Sequence, residues 1–408
     1  MNTCRLSIAV LRDVQRQLYR LISQSKKRQR WQYWHPETTL NKGGLPMPHN
    51  NSKITSTLHT LWAQSLTHFP YNYFALIMAT GIISLGCQAA GFHSLAFGLL
   101  ILNSSQYVIC VFLALSKFIA SPAVVWRDLI HSDKGPGFLT MVAGTCMLGE
   151  QYDTLTELTP LPFILLSAGI VLYLLLIFSM IAGVAMSEDK CSFNQGLDGL
   201  WLLCTVAGCS IVVLGAGTEG AATRPQAIFC TALWAISIML YMMIIPMIFF
   251  RWLFTSVNKR DFSPSWWINM GALAISSLAG TKLLAVHNAG AFATITPIIT
   301  AIIFFLWAMA LWWLLLLLTI FFWRLTSRVL DYRYVPGDWS IVFPSGMIVV
   351  ASFNVLHVIG ITPPNWLIKG SVVCVFLLWF IFYIRMLTSL GKSCHQSCKR
   401  KAITDSPR

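Results

Sequence analysis

The chain has 408 residues, 56% of them hydrophobic and 11% charged, with mean hydropathy +0.65 and a formal net charge of +14. That composition excludes a soluble globular domain, in which about a quarter of residues carry charge. The basic excess suits nucleic acid, anionic lipid or membrane orientation, and its placement along the chain decides among them.

Residues 1–68 read as a basic N-terminal extension. Within 5–30, Leu11, Leu18, Tyr19 and Leu21 have the loose helical spacing of a helix lying on anionic lipid. No apolar core of a secretory signal follows. Asn41–Pro48 reads as a Gly/Pro linker, and a second methionine, Met47, opens a shorter chain that keeps every apolar segment. An upstream mis-start explains the extension as well as a function does.

Residues 69–388 read as one all-α integral membrane domain. Its apolar runs fall at 71–91, 95–116, 136–150, 162–186, 198–217, 226–250, 264–281, 293–323, 339–360 and 363–384. About 20 residues suffice to cross a bilayer. The third run is short, bracketed by Lys134 and Glu150, and is kept because the repeat below requires it; a bundle tolerates a short helix. The longer loops are 117–135, 251–263 and 324–338, and a loop at 150–160 carries Glu150, Asp153 and Glu157. Residues 389–408 form a basic tail.

The odd runs are rich in small residues and share a closing leucine, at Leu85, Leu148, Leu214 and Leu278, in steps of 63, 66 and 64 residues. The even runs are bulky. Small residues let helices approach closely or leave a space between them, whereas bulky apolar residues suit lipid. The odd helices are therefore expected to form an inner ring and the even ones an outer ring.

With both termini cytoplasmic, 26 of the 29 Lys and Arg residues fall in cytoplasmic segments, and only Arg224, Lys282 and Lys369 fall outside. This is the positive-inside pattern, and it argues against nucleic acid. Of eleven cysteines, Cys87, Cys110, Cys146, Cys204, Cys209, Cys230 and Cys374 lie in spans, where they act as small apolar residues. Cys394-His395-x-x-Cys398 lacks a fourth ligand, so neither a metal nor a cofactor is expected.

Ionisable groups are scarce in the spans. Asp198 near the start of the fifth suits a cap. His357 lies late in the ninth. Lys282, at the outer end of the seventh, with His287 just beyond and Lys369, would make a weakly positive outer mouth that favours anions. There is no nucleophile–base constellation and no phosphate loop, so nothing supports an enzyme. The pore-lining candidates are Thr80, Gly81, Ser84, Gly144, Thr145, Gly208, Ser210, Gly271, Ser276 and Gly346. Pro344 interrupts the ninth helix and frees backbone groups, which are tolerated only against protein or a wet cavity. Phe343 beside it either occludes a pore or packs between helices, and spacing alone favours packing.

Phe69-Pro70-x3-Phe74-Ala75-x2-Met78-Ala79-Thr80-Gly81-Ile82 and Val142-Ala143-Gly144-Thr145-Cys146-x-Leu148-Gly149 resemble the first and third helices of the tellurite-resistance/dicarboxylate transporter family. Gly196-Leu197-Asp198-Gly199-x-Trp201 and Ser263-Pro264-x-Trp266-Trp267-Ile268-Asn269-Met270-Gly271-Ala272 resemble its fifth and seventh. Trp339-Ser340-x2-Phe343-Pro344-x-Gly346-Met347 resembles its ninth. The family includes bacterial tellurite-resistance channels, fungal malate and sulfite transporters and the slow-type anion channels of plant guard cells. The resemblance implies ten transmembrane helices as five helical hairpins, a quasi-fivefold inner ring around a central pore, a phenylalanine gate and a homotrimer. It also implies passage of small inorganic or dicarboxylate anions, and it places the gate at Phe343 with the kink at Pro344.

The leading expectation is an anion channel or permease in a plasma membrane, of the bacterial inner-membrane type. The alternatives are a proton-coupled carrier exporting malate-like dicarboxylates or sulfite, and a non-transporting receptor or anchor. Reporter fusions at Glu157 and at the C-terminal tail should report opposite sides of the membrane; the same side for both overturns the ten-span topology. Protein begun at Met47 should insert and transport like the full chain, and loss of flux on that truncation would give residues 1–46 a role.

Overall fold

The computed structural model describes residues 69–158, 160–188, 190–191, 196–218, 224–255, 263–287, 295–326 and 334–404, except the side chains of Arg224, His287 and residues 393–404. Ten long helices follow one another: α1 (Phe74–Ala89), α2 (His93–Ala120), α3 (Leu139–Leu155), α4 (Pro160–Met186), α5 (Leu203–Gly217), α6 (Arg224–Phe254), α7 (Ile268–His287), α8 (Thr296–Thr326), α9 (Trp339–Val358) and α10 (Asn365–Thr404). Among the described residues, nine of these are long and apolar enough to cross a membrane. The tenth, α3, has 17 residues. Its lead-in turn, Gly135–Phe138, extends it to about 33 Å, enough for the hydrocarbon core.

Each odd helix starts from a 3-10 turn: Tyr71–Tyr73, Gly135–Phe138, Gly199–Leu202, Pro264–Trp267 and Pro336–Asp338. Proline at or near three of these starts has the right φ and needs no N–H there. Basic residues of three even helices hold three of these turns or their lead-ins. Lys117 of α2 donates to the Phe69 carbonyl at 2.9 Å, Arg251 of α6 donates to the Leu197 carbonyl, and Arg385 of α10 pairs with Asp338 at 3.6 Å. Each cation satisfies a group that lipid could not.

The odd helices make a closed circuit. α1 packs on α3, α3 on α5, α5 on α7, α7 on α9, and α9 returns to α1. They run parallel. Gly144 meets Phe74 and Ile77 while Gly81 meets Met147; Gly199 meets Ser265 while Cys209 meets Ser276; Gly346 meets Ile82 while Gly86 meets Val350. The even helices lie outside. In the apolar windows of α1, α5, α7 and α9, 50–89% of residues are buried, against 17–33% in the even helices. Even-helix side chains such as Val108, Phe178, Met243, Leu315 and Ile381 are exposed, as lipid contact requires.

Three details differ from the sequence reading. The 117–135 loop contains a short helix, Pro122–Leu129, started by Pro122 at its first position. Residues 150–155, read as loop, complete α3. α10 passes 388, where the tail was expected to begin, because no proline interrupts it before Thr404. The expected readings of residues 1–68 lie outside the described residues.

The circuit depends on close approach. A Cβ on Gly271 would lie 2.8 Å from Pro344 Cγ and 3.3 Å from its Cα, while one on Gly98, in α2, would meet nothing within 4 Å. Gly271→Ala should therefore destabilise the protein by about 1–3 kcal/mol through overpacking. Gly98→Ala should be neutral or stabilising by up to about 1 kcal/mol. Thermal unfolding in detergent checks the contrast, and equal behaviour of the two variants removes Gly271 from the contact that closes the circuit.

Candidate functional site

The faces of α9 follow from its contacts. Gly346 faces α1 at Ile82, and Pro344 faces α7 at Gly271. Ser352 accepts a hydrogen bond from Trp307 Nε1 of α8 at 2.9 Å, so its side faces the outer layer. At about 100° per residue, Phe343 lies between the α1 and α7 faces and about 180° from Ser352. Phe343 therefore points to the inside of the circuit, where it is 3% exposed. Met347 and Asn354 share this face. Pro344 lies inside the helix and leaves the Ser340 carbonyl without its usual donor.

The same reasoning places Ser210. Gly208 faces Ser237 of α6 and Tyr173 of α4, Cys209 faces Ser276 of α7 at 3.2 Å, and Leu214 faces Gly149 of α3. Ser210 lies about 200° from Gly208, on the inward face with Val206 and Val213. Its hydroxyl donates to the Val206 carbonyl at 2.8 Å.

The other pore-lining candidates point elsewhere. Thr80 accepts from Trp379 of α10 at 3.1 Å and donates to Gln106 of α2 at 3.3 Å; Ser84 donates to the Ala96 carbonyl of α2 at 2.8 Å. Thr145 lies 3.0 Å from the Tyr107 hydroxyl of α2. These three fasten the inner layer to the outer one. Ser276 sits at the α5–α7 contact. The Cβ directions of Gly81, Gly144, Gly208, Gly271 and Gly346 all run into neighbouring helices, so packing alone accounts for their lack of a side chain. Asp198 is a cap, as its position suggested: it accepts from Gly199 N and from Ser265 Oγ, both at 2.6 Å, and so ties the start of α5 to that of α7.

An ion pair lies at the C-terminal end of the circuit. Lys282 Nζ donates to Glu150 Oε1 at 2.6 Å. The pair sits over Gly217, the last residue of α5, with Asp153 Oδ2 beside it. Lys282, expected at a weakly positive mouth, thus faces a carboxylate. His287's side chain lies outside the described residues, and Lys369 is exposed on α10. Glu150 was missed because its charge was taken to end the third span. The available signal was its position directly after the Leu148-Gly149 step of a small-residue helix. Among the described residues no group of His, Cys, Asp or Glu is arranged to hold a metal; Cys394, His395 and Cys398 fall outside the described side chains.

Residues 68–387 match the family described as voltage-dependent anion channel. The chain belongs to that family. The resemblance read from its helix motifs is thereby borne out, and its relatives by family are membrane channels and transporters of anions, not enzymes. Two curated relatives are uncharacterized membrane proteins of Mycobacterium tuberculosis, from strains CDC 1551 / Oshkosh and H37Rv. Each is 27% identical over 115 residues, which is 28% of this chain. The match spans 58% of the length of those relatives.

Proposed function

We propose that the circuit of odd helices is a quasi-fivefold ring around a pore, that the ten helices act as five hairpins, and that anions pass through each protomer. The family supports anion passage, and the placement of Phe343 supports the gate. On the inward faces of α5 and α9, Val206, Val213, Phe343 and Met347 are buried and apolar beside Ser210. An apolar constriction that excludes water closes a pore to ions, because an ion there must shed its hydration. A site with little fixed charge also binds weakly enough to release what it admits. Residues 69–388 form the conducting unit in this reading, with small inorganic anions or C4-dicarboxylates as substrates. Both termini are cytoplasmic in a bacterial-type inner membrane, and the assembly is a homotrimer, as in the family resembled. A carrier coupled to protons requires an ionisable group on the path, and Glu150 gives that second reading a residue.

The inward direction of Phe343 carries the gate. Phe343→Ala should raise anion flux in liposomes, normalised to folded protein. About 1.4 kcal/mol of relief from dehydration corresponds to about tenfold in rate. Cation flux should stay low, since the ring does not select charge. A ring merely packed between helices would behave differently on truncation. The cavity would cost about 3–5 kcal/mol of stability with no rise in flux per folded molecule, and that result returns Phe343 to packing.

A further inference from the structure

The Glu150–Lys282 pair joins helices that are second neighbours in the circuit, for α3 and α7 each pack on α5. Its side chains meet over the C-terminal end of α5 rather than within a helix–helix seam. The two members are not equally placed. The Lys282 side chain is 31% exposed and that of Glu150 4%. Glu150 Oε1 takes the bond from Lys282, while Oε2 is buried with no protein partner. A buried carboxylate with an unbonded oxygen is costly, and Lys282 holds this one. Among the described side chains, the charged groups facing it are Lys282 from α7 and Asp153 from its own helix, and α5 presents Gly217.

We propose that Lys282 is an anion-binding residue at this mouth and that Glu150 is its tethered competitor, so that the ligand is a carboxylate-bearing anion that takes the place of Glu150. The inference rests on the transport reading given above. An ammonium offers three donors and already holds a carboxylate at 2.6 Å, so a free carboxylate finds a site of matching chemistry. One carboxylate of the anion takes the place of the Glu150 carboxylate at the Lys282 ammonium, so the charge in contact with that ammonium is unchanged. Glu150 and Asp153 together outweigh Lys282 and hold anions off the mouth.

The test uses full-length protein, with succinate as the probe. Saturable succinate flux is measured in liposomes, and the succinate-induced shift in unfolding temperature is measured in detergent. Glu150→Gln should lower the half-saturating succinate concentration about tenfold, roughly one charge-assisted contact no longer contested. Lys282→Met should abolish the thermal shift, and Lys282→Arg should restore it. The double variant, which carries no net charge change at the pair and guards against misfolding of either single one, should behave like Lys282→Met. Wild-type kinetics and thermal shift in Glu150→Gln overturn the proposal. So does a double variant that keeps the gain, which would trace the gain to lost negative charge alone. A normal thermal shift without flux in the wild type supports the site and counts against the transport reading instead.

Discussion

Gly271 lies against Pro344, and that contact closes the circuit between α7 and α9. Much else depends on it. A proline in a helix interior exposes a carbonyl and bends the chain, and a membrane tolerates this only where the freed group is sheltered. Facing a glycine, Pro344 can be drawn close enough for α9 to complete the ring. The same close approach turns Phe343, one residue earlier, toward the centre. The packing and the inward direction of Phe343 are thus consequences of one local geometry.

The polar groups divide the labour between the two layers. Hydroxyls on α1 and α3 bond outward, to Gln106, Tyr107, Trp379 and the Ala96 carbonyl. In lipid such bonds have no competing water, and they are satisfied between inner and outer helices rather than toward the ring's interior. The charged groups lie at the two ends, Asp198 and Asp338 at the starts of α5 and α9 and the Glu150–Lys282 pair at the opposite end. An ion pair there is less screened than one in bulk water, and losing either partner would strand the other.

The layered fold was legible because its signal is repeated: small-residue runs alternating with bulky ones at near-constant steps. Orientation along each helix was not. Thr80, Ser84 and Thr145 look like pore residues by type, yet which face they occupy depends on where the outer helices sit. Phe343 and Ser210 fall on the inward face for the same reason, and spacing could not separate the two groups. The Glu150–Lys282 pair joins residues 132 positions apart, and nothing local links them. Gly271 was legible as a breaker, but its partner Pro344 became visible only once α7 and α9 were side by side. The outward extension of α3 was hidden because a charge ordinarily marks the end of an apolar run.

The parallel course of the five inner helices makes the ring electrically directional. Each helix carries a partial positive charge at its amide end and a partial negative charge at its carbonyl end, roughly half an elementary charge. Five such ends gather at each mouth. An anion approaching the face that holds Tyr71–Tyr73, Gly199–Leu202 and Pro264–Trp267 meets converging amides, while one approaching the Gly217 face meets converging carbonyls. If anions cross along the ring axis as proposed, the two entrances present unequal barriers even between identical solutions, and the backbone itself rectifies the current.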